Sequence, residues 1–334
     1  MRKQIVAFGR ELPESLVDSL QNEFEVTVIF QPKLEKAAFA KAIQNAHGLI
    51  GAGVKLEPEL LDAARRLEII SSVSVGYDNY DLEYLNRRGI LLTNTPDVLT
   101  ETTADMAFAL VMATARRVVE LAEYIKEGRW QQNIDRSLFG TDVHGKRLGI
   151  IGYGRIGQAI ARRGHFGFDM QIAYWNRRPK AEAETLKARF CGLDELLREA
   201  DFLCVTVPLT AETDHLIGSR EFALMQPNAI FINVARGRVV DEKALISALQ
   251  HGQIRAAGLD VFEREPLAAD SPLLTMSNVV VTPHIGSATQ ETRRAMAELA
   301  VKNLSAGLRG ERPADLVNPS VWESSRQGFA SQKL

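Results

Sequence analysis

Cysteine is nearly absent: Cys191 and Cys204 are the only two in 334 residues. Two thiols make no disulfide framework, and both stand in apolar stretches, so they read as free buried thiols of a reducing compartment. Long apolar runs are missing too, and nothing approaches the ~18 residues that would cross a bilayer. Neither sign of charge dominates: 40 Lys and Arg against 42 Asp and Glu leave a net charge of −2. That balance gives no reason to expect nucleic acid or an anionic membrane as a partner. MRKQIVAF at the start passes from two basic residues directly into a strand-like segment, with no long apolar core and no small-residue cleavage site. No signal peptide is therefore expected, and the cytoplasm is the expected location. The final Gln332-Lys333-Leu334 is only loosely like a peroxisomal address and is set aside. No short-period repeat, low-complexity tract or metal site is expected.

What is present is a long alternation of short apolar runs with amphipathic segments. The length exceeds one ordinary core and predicts two domains. Strand candidates are IVAF (5–8), FEVTVIF (24–30), GLI (48–50), LEIISSVSV (67–75) and GILLTN (89–94), with helix boundaries such as Asp81 and Gly89 between them. A second series follows: KRLGIIG (146–152), QIAYW (171–175), DFLCVTVP (201–208), AIFINVA (229–235), IRAAGLDV (254–261) and NVVVTP (278–283). Strands alternating with helices imply α/β architecture with parallel sheets covered on both faces. Between the two series, residues 100–128 read as one long helix, apolar almost all round and so buried. A last helix from about Ala288 to Leu308 returns to the first domain, and the polar stretch after it reads as a poorly ordered tail. The expected division is 1–98 with 288–321 for one domain, 99–287 for the other, and 322–334 for the tail.

Gly152-Tyr153-Gly154-Arg155-Ile156-Gly157 follows a buried strand and opens a helix, the context that a dinucleotide fingerprint requires. Gly152 permits the tight turn, Gly154 lets the backbone approach the pyrophosphate, and Gly157 allows close helix–strand packing. The amides of Arg155 and Ile156 lie at the positive end of that helix. The bland alternative is a Gly-rich structural turn. About 20 residues on, an NAD site carries an Asp or Glu for the ribose 2′-OH. Here stand Asn176-Arg177-Arg178, whose guanidiniums suit a 2′-phosphate, so NADP(H) is expected first and NAD(H) second. Their alternative is a solvated turn.

Three polar residues close later apolar strands, where ligands collect in open α/β sheets. Arg236, in INVARGRVV, suits a substrate carboxylate and carbonyl oxygen. His284, in VTPHIGSAT, would alone be a satisfied core residue. Glu265, in GLDVFEREP, offers a carboxylate to orient the ring and favour its charged form, making the pair a general acid. Spacing does not prove that they meet.

GYGRIG, NVARG, GLDVFEREP and TPHIGSAT together resemble the D-isomer-specific 2-hydroxyacid dehydrogenases over nearly the whole chain. SVGYDNYD (74–81), TPDVLTETTAD (95–105), FGTDVHGKRLGIIGYGRIG (139–157), NRRPK (176–180) and DSPLLTMSNVVVTPHIGSAT (270–289) are similar to the group of 2-ketogluconate reductases and glyoxylate/hydroxypyruvate reductases B. The resemblance implies a flavodoxin-like substrate domain built from both chain ends, a Rossmann domain between them, and a homodimer. It places the carboxylate-binding arginine on Arg236, the His-orienting glutamate on Glu265 and the proton donor on His284. It puts the nicotinamide carboxamide on Asp260 and the substrate carboxylate on the amides of Val75 and Gly76. Further cofactor contacts implied are Val207, Pro208, Thr213, Val234, Ala235 and Gly286, with Arg236 and His284 touching the cofactor as well as the substrate.

The expected reaction is hydride transfer from NADPH to the C2 carbonyl of a 2-oxo acid, with the proton from His284. Lys55 and Arg136 are candidate cations for the distal end of a C6 acid, against plain solvent exposure. On them 2-ketogluconate, free or as its 6-phosphate, ranks first, with glyoxylate and hydroxypyruvate close behind. A non-catalytic, nicotinamide-sensing protein of corepressor type is the alternative from another class. A long phosphoglycerate dehydrogenase would carry a further regulatory domain, and formate dehydrogenases place glutamine where Glu265 stands.

Overall fold

The computed structural model describes residues 2–9, 12–30 and 35–324. Two compact units emerge, Met1–Leu99 with Thr289–Leu334, and Thr100–Ala288. In the first, β1 (Gln4–Gly9), β2 (Glu25–Ile29), β3 (Gly48–Ala52), β4 (Ile69–Ser72) and β5 (Leu91–Thr93) form a parallel sheet. Its order, β2-β1-β3-β4-β5, is that of a flavodoxin-like doubly wound sheet. Val6, Phe8, Leu49, Ile70 and Leu92 on one face share a core with Phe39, Ile43, Tyr84 and Leu85 from the covering helices. The other face is closed by the helix Gln290–Leu308. Glycine lets that helix come close: a Cβ on Gly48 would stand 2.9 Å from Leu304 Cδ1, and one on Gly307 2.5 Å from Ile69 Cδ1.

The second unit holds β6 (Arg147–Ile151), β7 (Gln171–Trp175), β8 (Arg189–Phe190), β9 (Phe202–Val205), β10 (Ile230–Asn233), β11 (Ala256–Leu259) and β12 (Val279–Val281). All pairs are parallel, in the order β12-β11-β10-β9-β6-β7-β8. Side chains alternate across the sheet as the pleat requires. Leu148, Ile150, Cys204 and Ile232 join Ala107, Leu110 and Val111 of the helix Thr100–Ala115 in one core. Ile151, Leu203, Val205 and Phe231 join Leu196, Phe222, Leu245 and Ala248 in the other. The chain leaves β6 outward to β7 and β8, then restarts at β9 on the opposite side. A crevice therefore opens between the carboxyl ends of β6 and β9, the switch point at which such sheets bind ligands.

Both cysteines are buried and free. Burial pushes the Cys204 thiol up to about 12 and also raises Cys191, so neither supplies a thiolate at neutral pH. No helix among the described residues is long and apolar enough to cross a membrane.

Two expectations need correction. The single helix over 100–128 breaks: Arg117 takes a left-handed φ of 54°, splitting it into Thr100–Ala115 and Val118–Lys126. Arg117 forms an ion pair with Glu120 at 2.7 Å and donates to the carbonyl of Ser137, which holds the kink. The first piece is buried as expected, whereas the second buries no residue. The polar end also begins later than expected. Asn318 accepts from the Leu92 amide at 2.7 Å and donates to the Ile90 carbonyl at 2.9 Å, while Val321 and Trp322 are buried. Positions 325–334 of the expected tail lie outside the described residues.

Candidate active site

The candidate residues of the second unit follow the carboxyl ends of its strands. Gly152 comes after β6, Asn176 after β7, Val207 after β9, Arg236 after β10, Asp260 and Glu265 after β11, and His284 after β12. The phosphate-type features therefore stand at mid-sheet and the chemical groups at the β10–β12 side.

Each fingerprint glycine has a separate cause. Gly152 turns the chain with a φ of +96°, and a Cβ there would meet Val207 N at 2.9 Å. A Cβ on Gly157 would stand 2.3 Å from the Gly152 carbonyl oxygen, so the helix cannot seat on the strand with any side chain there. Gly154 differs, because a Cβ would meet nothing within 4 Å and its φ is an ordinary −81°. The fold does not need glycine there; an open cradle in front of the helix does. That helix, Arg155–Arg162, has no side-chain cap at its start, the end at which a helix receives an anion. The residues present thus fit a pyrophosphate. After β9, the Thr213 hydroxyl donates to the Pro208 carbonyl at 2.6 Å and accepts from the Thr210 amide at 2.8 Å, tightening the loop beside Val207.

Beyond β7, Asn176 Nδ2 donates to the Arg178 carbonyl at 2.9 Å and shapes a turn on which Arg177 and Arg178 are exposed. Tyr174 supports that turn from below, accepting from the Lys180 amide at 2.9 Å while its ring stacks on Tyr153 at 4.2 Å. Sequence reasoning missed Glu212 in the loop after β9. The Thr210 hydroxyl, first, and the Arg177 charge among other causes hold its carboxyl below the usual range.

His284 Nδ1 lies 2.7 Å from Glu265 Oε2. With Nδ1–H donating to Glu265, Nε2 is the nitrogen left for another partner. Burial pushes the Glu265 carboxyl up, but the His284 hydrogen bond and charge, the Phe262 amide at 3.1 Å and the Arg236 charge outweigh it. Its pKa therefore falls below the ordinary 4.5. A carboxyl lowered in this way stabilises the fold above about pH 4.5, and that contribution disappears as pH falls through the lower folded value.

His284 adopts a left-handed φ of 53°, a conformation an ordinary side chain enters at a cost. Asp260 holds it there. Buried to 1 % exposure, its Oδ1 accepts from the Thr282 hydroxyl at 2.7 Å and the Ile285 amide at 2.8 Å, and its Oδ2 from the Gly286 amide at 2.8 Å. Three of the roughly four acceptor positions of this carboxylate are thus filled by the loop that carries His284.

Arg236 leaves β10 past buried Val234 and Ala235. Asn233 fixes the exit, its Oδ1 accepting from the Ala235 amide at 3.0 Å and its Nδ2 donating to the Arg236 carbonyl at 3.1 Å. Gly237 then lies so close to the next loop that a Cβ would stand 1.8 Å from the Phe262 carbonyl carbon. This contact brings the turn after β10 against the loop that bears Glu265. A lone asparagine ending a buried strand was the sequence signal for that arrangement.

The remaining candidates are accounted for locally. Val75 and Gly76 follow β4, with the Val75 carbonyl accepting from Asn94 Nδ2 at 2.8 Å. Lys55 is exposed and pairs with Glu57 at 3.4 Å. Arg136 is exposed in a short 3₁₀ turn capped by Asp135. No group of three or more His, Cys, Asp or Glu among the described residues is placed to hold a metal ion.

Residues 108–286 match the family described as "D-isomer specific 2-hydroxyacid dehydrogenase, NAD binding domain". A glyoxylate/hydroxypyruvate reductase B of Escherichia fergusonii is 54% identical over 325 residues, covering 96% of this chain and 99% of its own. Among solved structures, a protein of Thermus thermophilus superposes with a TM-score of 0.88 at 43% identity, over 94% of this chain and 99% of that one. An NADPH-dependent glyoxylate/hydroxypyruvate reductase of Sinorhizobium meliloti, crystallised with NADP and malonate, gives 0.85 at 36% identity, over 95% and 97%. With this coverage and identity, the chain belongs to the D-isomer-specific 2-hydroxyacid dehydrogenases, oxidoreductases that act on a CH–OH group.

Proposed function

We propose that this chain is an NADPH-preferring reductase of glyoxylate and hydroxypyruvate, with His284 as the proton donor. The observation that carries the reading is the 2.7 Å pairing of His284 with Glu265, beside Arg236 on the neighbouring strand end. NADPH, when bound, supplies the hydride to the carbonyl carbon. Arg236 binds the anionic acid and polarises its C=O bond. His284 passes its Nε2 proton to the oxygen that gains the carbonyl electron pair, leaving a neutral ring whose Nδ1–H still faces Glu265. Asp260 keeps the His284 loop in place; its one remaining acceptor position suits the nicotinamide carboxamide.

Arg177 and Arg178, exposed on the turn after β7, support NADP(H) over NAD(H). The sequence ranked 2-ketogluconate first on the strength of Lys55 and Arg136. Lys55 pairs with Glu57 and both cations are exposed, so neither is fixed in place to favour a C6 acid over a smaller one. The smaller acids named in the relatives move ahead.

The test is cofactor oxidation followed by absorbance with glyoxylate, hydroxypyruvate, 2-ketogluconate and its 6-phosphate, using NADPH and NADH. A kcat/KM at least about tenfold higher with NADPH is expected, and Arg177→Asp should remove most of that preference. Equal losses with both cofactors in the variant would sink the specificity assignment. Bound NADPH with no turnover of any acid would favour a sensing protein instead.

The reading includes a homodimer. Val118, Val119, Ile125, Trp130, Ile134 and Phe139 are all exposed large apolar side chains within one short stretch. Exposed apolar side chains gathered in one stretch of chain are what a second copy would cover. Ile125→Asp is expected to shift the wild-type dimer to monomer in light scattering; a monomeric wild type refutes the assignment.

A further inference from the structure

Glu265 reaches His284 from an irregular loop, and what holds that loop is a cluster outside the chemical groups. Glu263, two residues earlier, has its Oε1 3.1 Å from the Glu242 amide, which donates to it, and 3.0 Å from His215 Nε2. In return the Glu263 amide donates to Glu242 Oε2 at 3.1 Å. Glu242 starts the helix Glu242–Gln250 after β10, and His215 lies in the segment between β9 and the helix Ser219–Leu224. One carboxylate thus ties the segments after β9, β10 and β11.

The three segments are closely placed for this. His215 takes a left-handed φ of 52°, and its amide donates to the Arg238 carbonyl at 2.7 Å. Arg238 in turn pairs with Asp214. Gly237, directly before Arg238, is the residue against which Phe262 and Glu263 press. The Phe262 amide, one peptide before Glu263, donates to Glu265 Oε1 at 3.1 Å. The turn that orients the Glu265 carboxylate is therefore anchored at its next residue by Glu263.

We propose that Glu263 is a positioning residue, clamped by Glu242 and His215, that holds the Phe262–Glu265 turn so that Glu265 meets His284. The proposal rests on the reductase reading above. An isolated surface ion pair contributes little to stability. The value of this one lies in where it is fixed, because an ångström of displacement at a proton donor's partner costs far more in rate than in folding.

The test compares Glu263→Ala, Glu263→Gln and His215→Asn, the last because asparagine tolerates the left-handed backbone. Each is made in the wild type and in a Glu265→Gln background. Glu263→Ala is expected to lower kcat with glyoxylate roughly 10- to 30-fold, with the NADPH Kd, read by fluorescence, within about twofold. Glu263→Gln keeps an acceptor oxygen and is expected to recover activity to within about threefold of wild type, and His215→Asn to fall between the two. With Glu265 already replaced, Glu263→Ala should cost less than about twofold, since it acts through that residue. An equal loss in both backgrounds, or a parallel weakening of NADPH, overturns the proposal. A readout independent of turnover is the Nδ1–H resonance of ¹⁵N-labelled His284, expected to persist in Glu263→Gln and vanish in Glu263→Ala. Persistence in both variants refutes the clamp even if no substrate is reduced, whereas failure of the wild type to turn over refutes the reductase reading alone.

Discussion

His284→Ala is expected to lower kcat for 2-oxo-acid reduction by roughly 10³-fold while changing NADPH affinity by less than about threefold. The split follows from the geometry. His284 closes β12, whereas the fingerprint glycines close β6, on the far side of β11, β10 and β9. The variant also needs a control, because alanine must enter the same left-handed φ of 53° and will strain the loop. His284→Asn tolerates that backbone yet carries no ionisable proton, so it should lose rate to a similar degree with less loss of thermal stability. Steady-state kinetics and thermal melts on both variants settle the matter. Turnover within tenfold of wild type in either one removes His284 from the mechanism.

Gly237→Ala is the second large effect, and it arises without touching any charged group. A methyl placed 1.8 Å from the Phe262 carbonyl carbon and 2.3 Å from the Glu263 amide nitrogen meets backbone, which has no rotamer to yield. One loop must move bodily, at a cost of about 3 kcal/mol, toward the upper end for overpacked sites. The melting midpoint should drop by roughly 6–12 °C for a unit of this size. Because the displaced segments carry Arg236 and Glu265, kcat/KM should fall by roughly 10²-fold as well. Differential scanning fluorimetry and glyoxylate kinetics check both. A variant as stable and active as the wild type would show that the two loops do not press together in solution.

Much of this arrangement is legible in the sequence. Gly152, Gly154 and Gly157 announced their turn because a strand preceded them and a helix followed, and those local patterns survive folding. Arg236 and His284 stood out as polar residues ending apolar strands. The pairing of Glu265 with His284 was not legible in the same way. It depends on β11 and β12 being neighbours, a fact of sheet order that no spacing encodes, and resemblance had to supply it. Asp260 shows another limit: the resemblance implied a ligand contact, but most of its acceptor capacity goes to three groups of the His284 loop. The helix over 100–128 misled because apolar periodicity continues through Arg117, while the break is set by that side chain's bonds to Glu120 and Ser137. Glu212 was invisible because it nears Arg177 from a different strand end.

The way the first unit is completed has a consequence for the nascent chain. Its five strands are translated first, yet the helix that closes one face, Gln290–Leu308, is made only after the whole of Thr100–Ala288. Roughly 190 residues separate the two pieces, which at about 5–20 residues per second is a delay of roughly 10–40 s. During that interval the face that will receive Leu304 and Leu308 at Gly48 has no cover from its own chain. The unit translated second has all its segments at hand as soon as it leaves the ribosome. The order of synthesis and the order of completion are therefore reversed, and the first-made sheet is the part of this protein that most needs protection from aggregation while it waits.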